Sequence, residues 1–370
     1  MPRSSTALRT RTTALLAALT AAALSPATRA QSTEILAIIG DAAPDANGSF
    51  LGLGSPALND AGQAAFFGSF TGTAGGSSDD TGLFRSDGTS GALTQLAREG
   101  QAAPDNNGSL SSYSAPALND AGQAAFFGIL TGTAGGSSDD LGIFRSDGSS
   151  GGLTQLAREG QAAPDNNGSF SGFGNPALND AGQAAFVSTL TGTAGGSSDN
   201  GGIFRSDGSS GGLTQLAREG QAAPDNNGSF SGFNSSVALN DAGQAAFTGF
   251  LTGTAGGGSD NSGLFRGDGT SGGLTQLARE GQAAPDNNGS FSSFGNPALN
   301  DAGQAAFVST LTGTAGGSSD DFGIFRSDGS SGGLTQLARE GQAAPDNNGS
   351  FSGFGNPALN DAGQAAFVST

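Results

Sequence analysis

The nine residues Leu-Asn-Asp-Ala-Gly-Gln-Ala-Ala-Phe begin at Leu58 and return at Leu118, Leu178, Leu239, Leu299 and Leu359. The interval is 60 residues, apart from one added residue in the stretch Asn234-Ser235-Ser236-Val237. Self-similarity at a fixed period marks a repeat architecture, in which each unit buries its apolar faces against its neighbours. The near-identity of the units points to recent duplication, and the tolerated insertion marks its stretch as a loop.

Each unit reads as four short strands. The first is brief, residues 56–58 in the first copy, and the second covers residues 63–70. Between them Asn59-Asp60-Ala61-Gly62 fits a tight hairpin turn, with Asn at its first position and Gly in the left-handed region that a Cβ disfavours. In the third copy, the second strand sets Ala184, Phe186, Ser188 and Leu190 on one face and Ala185, Val187 and Thr189 on the other. Apolar groups on both faces predict cover on both sides. The third strand is 202–205 and the fourth 213–218, where Leu213 and Leu216 lie out of strand phase and leave a single helical turn as the rival reading. The connections 191–200 and 221–229 are rich in turn formers and exclude a core strand.

These units predict an all-β fold of tandem four-stranded antiparallel sheets, packed as the blades of a roughly six-bladed β-propeller. Residues 34–40 stand where the fourth strand of a preceding unit would stand. The chain stops at Thr370 inside a second strand, so either the final blade is incomplete or the sequence is truncated.

Composition narrows the function. The 25 Phe recur at fixed places, which argues against plain disorder despite 66 Gly and 13 Pro among 370 residues. Cys, His, Lys and Trp are all absent, which removes most of the usual catalytic and transition-metal side chains. Net charge is -18, and an acidic surface repels phosphate backbones and anionic lipid heads. Nucleic acid is therefore excluded as an expected partner, while divalent cations, basic proteins and neutral glycans stay open.

Residues 1–30 read as a secretory signal. Arg3, Arg9 and Arg11 precede an apolar run at 13–24, and small residues follow up to Ala30. That run is shorter than the ~20 apolar residues of a permanent membrane helix, and no second long apolar stretch occurs. The expected mature chain, residues 31–370, is thus extracytoplasmic, at the cell surface or in the periplasm, with no integral membrane segment.

The block Asn59-x-x-Gly62-x-x-Ala65-Phe66 resembles the defining motif of the choice-of-anchor tandem-repeat proteins named for NxxGxxAF. It occurs at 59–66, 119–126, 179–186, 240–247, 300–307 and 360–367. The resemblance covers essentially the whole expected mature chain. It implies a secreted bacterial repeat protein of unknown molecular function, often with a variable C-terminal anchoring segment, and this chain shows no such segment. No catalytic residues come with the resemblance.

Candidate chemistry is sparse. Acidic residues at Asp79-Asp80, Asp139-Asp140, Asp199, Asp260 and Asp320-Asp321 lie in Gly-rich loops, and oxygen ligands of this kind suit Ca²⁺. Their spacing matches neither an EF-hand loop nor the calcium-binding nonapeptide, and solvated acidic loops explain them as well. Acids such as Asp60, Asp87 and Glu99 are the raw material of a glycosidase pair, but near-equal units single out no one constellation. Tyr113 stands where sister units carry Phe. Arg85 and Arg98, with their copies, are expected to pair with carboxylates and set the register between blades.

The sequence therefore assigns no catalytic, cofactor-binding or metal-ligating residue. It predicts a binding or structural module rather than an enzyme, with no cofactor required and a protein or glycan ligand at the polar loops. A Ca²⁺-dependent surface repeat protein and a propeller-type glycan hydrolase or lyase are the alternatives.

Overall fold

The computed structural model describes residues 35–88 and 92–370, so the export leader read at 1–30 lies outside the described residues. The first unit sets the pattern with β1 (Ser49–Leu53), β2 (Ala57–Leu58), β3 (Ala64–Thr71), β4 (Thr81–Ser86) and β5 (Leu93–Arg98). They form an antiparallel sheet in the order β1-β3-β4-β5, and β2 continues β1 along the same edge of β3. Units two to five repeat this sheet, and the sixth unit shows a hairpin of Ala358–Leu359 with Ala365–Ala366.

Two local readings are corrected, and the strand read at 213–218 is borne out over its helical rival. The first strand does not begin at 56 but at Ser49, and the polar connection before it is correspondingly shorter. A bulge between Phe50 and Gly52 breaks the alternation that would have revealed it. The out-of-phase Leu pair is also a bulge, since Ile203 faces Ala217 while Phe204 faces Gln215, leaving Leu216 between them. Residues 213–218 are therefore strand, not a helical turn. The single-residue insertion does not lie in a loop: Ser229–Leu239 runs as one eleven-residue strand, with its register shifting between Phe233 and Val237.

Residues 35–40 do not form a strand among the described residues. Ile38 makes an isolated bridge, and Gly40 N–H donates to Phe50 O.

The core lies between consecutive sheets. Phe170, Phe186 and Phe204 of unit three pack on Ala125, Ile143 and Leu156 of unit two, and each of these six is fully buried. Unit four presents Phe230, Phe247 and Phe265 to Ala185, Ile203 and Leu216 of unit three in the same way. Each sheet thus has an aromatic face and a face of smaller side chains, and the small face accepts the rings of the next unit. The rings also meet edge to face, as Phe170 and Phe204 do at 4.9 Å between centroids. Such pairs contribute about 0.5–1.5 kcal/mol beyond the burial of their area.

This head-to-tail stacking covers the strand Ala184–Thr191 of unit three on both sides, against unit two and against unit four. With the convergence of the hairpin turns described next, it makes the molecule a β-propeller-like array of four-stranded sheets. No hydrogen bond joining the sixth unit to the first occurs among the described residues.

Candidate functional site

The β2–β3 turn is built by its own side chain. Asn59 Oδ1 accepts from Gln63 N–H at 2.8 Å, and Gly62 N–H donates to Asn59 O at 3.1 Å. Asn59 Nδ2 then donates both to Gln63 Oε1 at 2.9 Å and to Asn119 O of the next unit at 2.8 Å. Both roles need an acceptor and a two-proton donor on one short side chain, which only Asn offers. Gly122, at φ 75°, accepts Arg85 Nη1 on its carbonyl at 2.7 Å. A Cβ there would stand 2.1 Å from that nitrogen. Ala65 and Phe66 are buried, so each of the four defining residues of the NxxGxxAF block, Asn, Gly, Ala and Phe, has a packing or bonding role.

The same turns do something sequence reading missed. The Leu-Asn-Asp segments of the first four turns, with Leu299 and Asp301 of the fifth and Asp361 of the sixth, line one open funnel of about 220 Å³, so that Asp60, Asp120, Asp180, Asp241, Asp301 and Asp361 all reach it. A second ladder joins them: Asp60 N–H donates to Asp120 Oδ1, Asp120 N–H to Asp180 Oδ1, and so on to Asp361, at 2.8–2.9 Å. The Asn ladder runs beside it from Asn59 to Asn360. No cation is among the lining residues. Burial first, and then the charges of Asp180 and Asp301, push the Asp241 carboxyl above its usual range.

At the other end of each sheet lie the loop acids. Asp79 Oδ2 accepts from Asn47 Nδ2 at 2.7 Å and from Gly75 N–H at 3.1 Å, and the Asp139, Asp199, Asp260 and Asp320 loops repeat this clamp. Hydrogen bonds from Thr73 and Asn47 hold the Asp79 carboxyl below its usual range. Among the described residues, no group of three or more acidic side chains is arranged to hold a metal ion.

Beside them, Glu99 Oε2 accepts from Thr81 Oγ1 at 2.9 Å, and burial followed by the charge of Asp80 raises the Glu99 carboxyl. Asp60 and Glu99 are separated by the eight-residue β3, about 25 Å at the rise of an extended strand, and do not form an acid pair. Tyr113 packs edge-on against Phe126 at 5.7 Å, and its hydroxyl is buried without a hydrogen-bond partner.

The two arginines divide the work differently from the expectation. Arg98 pairs with Asp45 at 3.4 Å, donates to the carbonyls of Asp79 and Asn47, and lies 4.3 Å over the Phe70 ring. All of these contacts fix the loops of its own unit. Arg85 is the arginine that crosses to the next unit, and its acceptor is a backbone carbonyl rather than a carboxylate.

No curated protein matches the chain in sequence. Among solved structures it is similar to puromycin hydrolase, at 14% identity and a TM-score of 0.46, over 91% of this chain and 44% of that one. The chain therefore spans under half the length of that hydrolase. It is similar as well to the Hadza microbial sialidase Hz136, at 13% identity and a TM-score of 0.38, over 90% of this chain and 65% of that one. A third is the β-propeller domain of the Trilobed protease from Pyrococcus furiosus, described as having an open velcro topology, at 11% identity and a TM-score of 0.34, over 78% and 84%. The expectation that the chain is not an enzyme is corrected by these findings. Enzymes are among the solved structures it is similar to. No helix of the described residues is long and apolar enough to cross a membrane. The model of a family of unknown function, DUF7453, matches residues 16–210 and again 195–370, and the chain belongs to that family.

Proposed function

We propose that the chain is an extracytoplasmic binding module that takes a basic segment of a partner protein into the axial funnel. The observation that carries this reading is the ring of six aspartates with no cation among the residues that line it. The net charge of -18 adds long-range attraction for such a partner. The ring favours an extended ligand over a bare ion, because no three of its carboxylates converge closely enough to hold a metal. The basic leader at 1–30 and the resemblance to secreted NxxGxxAF repeat proteins support the location outside the cytoplasm.

An arginine-rich peptide and a glutamate-rich control, each labelled with a fluorophore, test the reading by anisotropy at two salt concentrations. The basic peptide is expected to bind, more weakly at higher salt, and the triple variant Asp120→Asn, Asp180→Asn, Asp241→Asn is expected to lose most of that affinity. Equal binding of both peptides, or undiminished binding by a folded triple variant, refutes it. A calcium-induced rise in melting temperature that the triple variant abolishes would favour the ion instead.

A further inference from the structure

All 25 Phe of the chain lie among the described residues, and every one except Phe250 is buried or half-buried. Phe250 stands in the strand Ala245–Thr252 of unit four and is 46% exposed. The other rings of unit four, Phe230, Phe233, Phe247 and Phe265, pack on one another, and Phe250 pairs with none of them.

The fold does not ask for a ring at this position. Ser69, Ile129, Thr189 and Thr310 occupy it in units one, two, three and five. The two threonines are bonded within their own sheets: Ser171 Oγ donates to Thr189 Oγ1 at 3.4 Å, and Thr310 Oγ1 lies 2.9 Å from Ser292 Oγ. Unit four exchanges such a hydroxyl for an exposed aromatic face. Its neighbour across the sheet is Gly232, which has no side chain to cover it.

Carboxylates flank the ring. A Cβ at Gly232 would lie 3.6 Å from Phe250 Cδ2 and 4.0 Å from Glu219 Oε1 of unit three, so ring edge and carboxylate border the same space. Glu219 is fixed through its other oxygen, which accepts from Gly201 N–H at 2.7 Å. On the opposite side Phe250 pairs with Ser262, whose Oγ donates to Glu280 Oε2 at 3.2 Å. Both glutamates are partly exposed. Neither is in an ion pair among the described residues. The adjacent Arg218 and Arg279 are buried, pair with Asp165 and Asp225, and donate to the carbonyls of Asp199, Asn167, Asp260 and Asn227.

An open aromatic face between uncompensated carboxylates is the complement of a guanidinium. The planar cation stacks on the ring and directs its N–H groups to the carboxylate oxygens. A neutral sugar would gain the stacking but answer neither charge, and an anion would be repelled. We propose that Phe250, Glu219 and Glu280 form a subsite for an arginine side chain of a basic partner, carried by unit four. The proposal rests on the preceding reading only for the sign of the partner's charge. Phe250 lies near the loop end of its strand, away from the Asp241 turn that lines the funnel.

The test is anisotropy of the folded Met1–Thr370 chain with an arginine-rich peptide and a lysine-rich peptide of equal length and charge. Phe250→Thr installs the residue of units three and five, and circular dichroism checks its fold. It is expected to weaken the arginine peptide about threefold, to remove that peptide's advantage over the lysine one, and to leave the salt dependence unchanged. The double variant Glu219→Gln, Glu280→Gln is expected to weaken both peptides and to reduce the salt dependence. Undiminished arginine-peptide binding by Phe250→Thr overturns the subsite. If the aspartate triple variant loses binding at the same time, the funnel reading stands without it; the reverse pattern keeps the subsite and removes the funnel. No binding of either peptide by the wild-type chain overturns both. A neutral oligosaccharide that binds, is lost in Phe250→Thr and is unaffected by the double variant overturns the choice of a guanidinium.

Discussion

Asn119→Asp replaces one atom of the motif and reverses its chemistry. Asn119 is 3% exposed and makes three side-chain hydrogen bonds. Its Oδ1 accepts from Gln123 N–H at 2.8 Å, and its Nδ2 donates to Gln123 Oε1 at 3.0 Å and to Asn179 O of the next unit at 2.9 Å. Alanine here loses all three and leaves partners unsatisfied, a cost of about 3–4 kcal/mol at the usual net value per bond. Aspartate keeps the bond from Gln123 N–H but turns a carboxylate oxygen toward two acceptors in a buried site. At neutral pH it is expected to destabilise at least as much as alanine, despite being nearly isosteric.

The direction with pH follows from the same contacts. Burial and the two facing oxygens favour the protonated acid, so the folded-state pKa of the introduced carboxyl rises above its unfolded value of about 3.9. The penalty is absent below that unfolded value. It grows by about 1.4 kcal/mol per pH unit up to the folded value and is constant above it. Urea unfolding of wild type, Asn119→Ala and Asn119→Asp, followed by far-UV circular dichroism at neutral pH and near pH 4, measures both effects. A deficit for Asn119→Asp below ~0.5 kcal/mol at neutral pH, or one that does not shrink on acidification, refutes the inter-unit role of the amide.

Two further outcomes follow from the opposite end of the sheets. Tyr113→Phe removes a buried hydroxyl that has no hydrogen-bond partner and installs the Phe that units three to six carry, so stability is expected to hold or rise by up to about 1 kcal/mol in the same urea assay. Glu159→Gln is expected to raise the melting temperature at neutral pH, because burial and Asp140 lift the Glu159 carboxyl above its ordinary value. A carboxyl raised in this way weakens the fold as pH climbs through its folded pKa, so the advantage of Gln should vanish below the ordinary Glu range. A gain that persists in acid would assign the effect to something other than charge.

What could be read from the sequence was what is local. The Asn59–Gly62 turn, β3 with its two apolar faces and the strand at 213–218 depend on neighbours a few residues away, and their residue types carry the signal. β1 was hidden because the bulge after Phe50 puts its side chains out of alternation, and its Ser and Gly read as loop. The funnel was hidden for another reason. Asp60 is an ordinary turn residue in one unit, and only the meeting of six turns makes it part of a ring. The acceptor of Arg85 left no trace either, since a Gly122 carbonyl is present whatever the side chain, whereas the carboxylate expected for Arg98 is present as Asp45.

The ladders of Asn and Asp have a direction: each unit donates to the one that follows it and accepts from the one before. Every junction from the first to the fifth therefore presents the same plug and the same socket. Unequal recombination between such near-identical coding segments would delete or add a whole unit and still leave each new junction correctly mated. Array length can then drift in a lineage without passing through a misfolded intermediate. Selection would see the change chiefly as a wider or narrower ring of carboxylates at the axis.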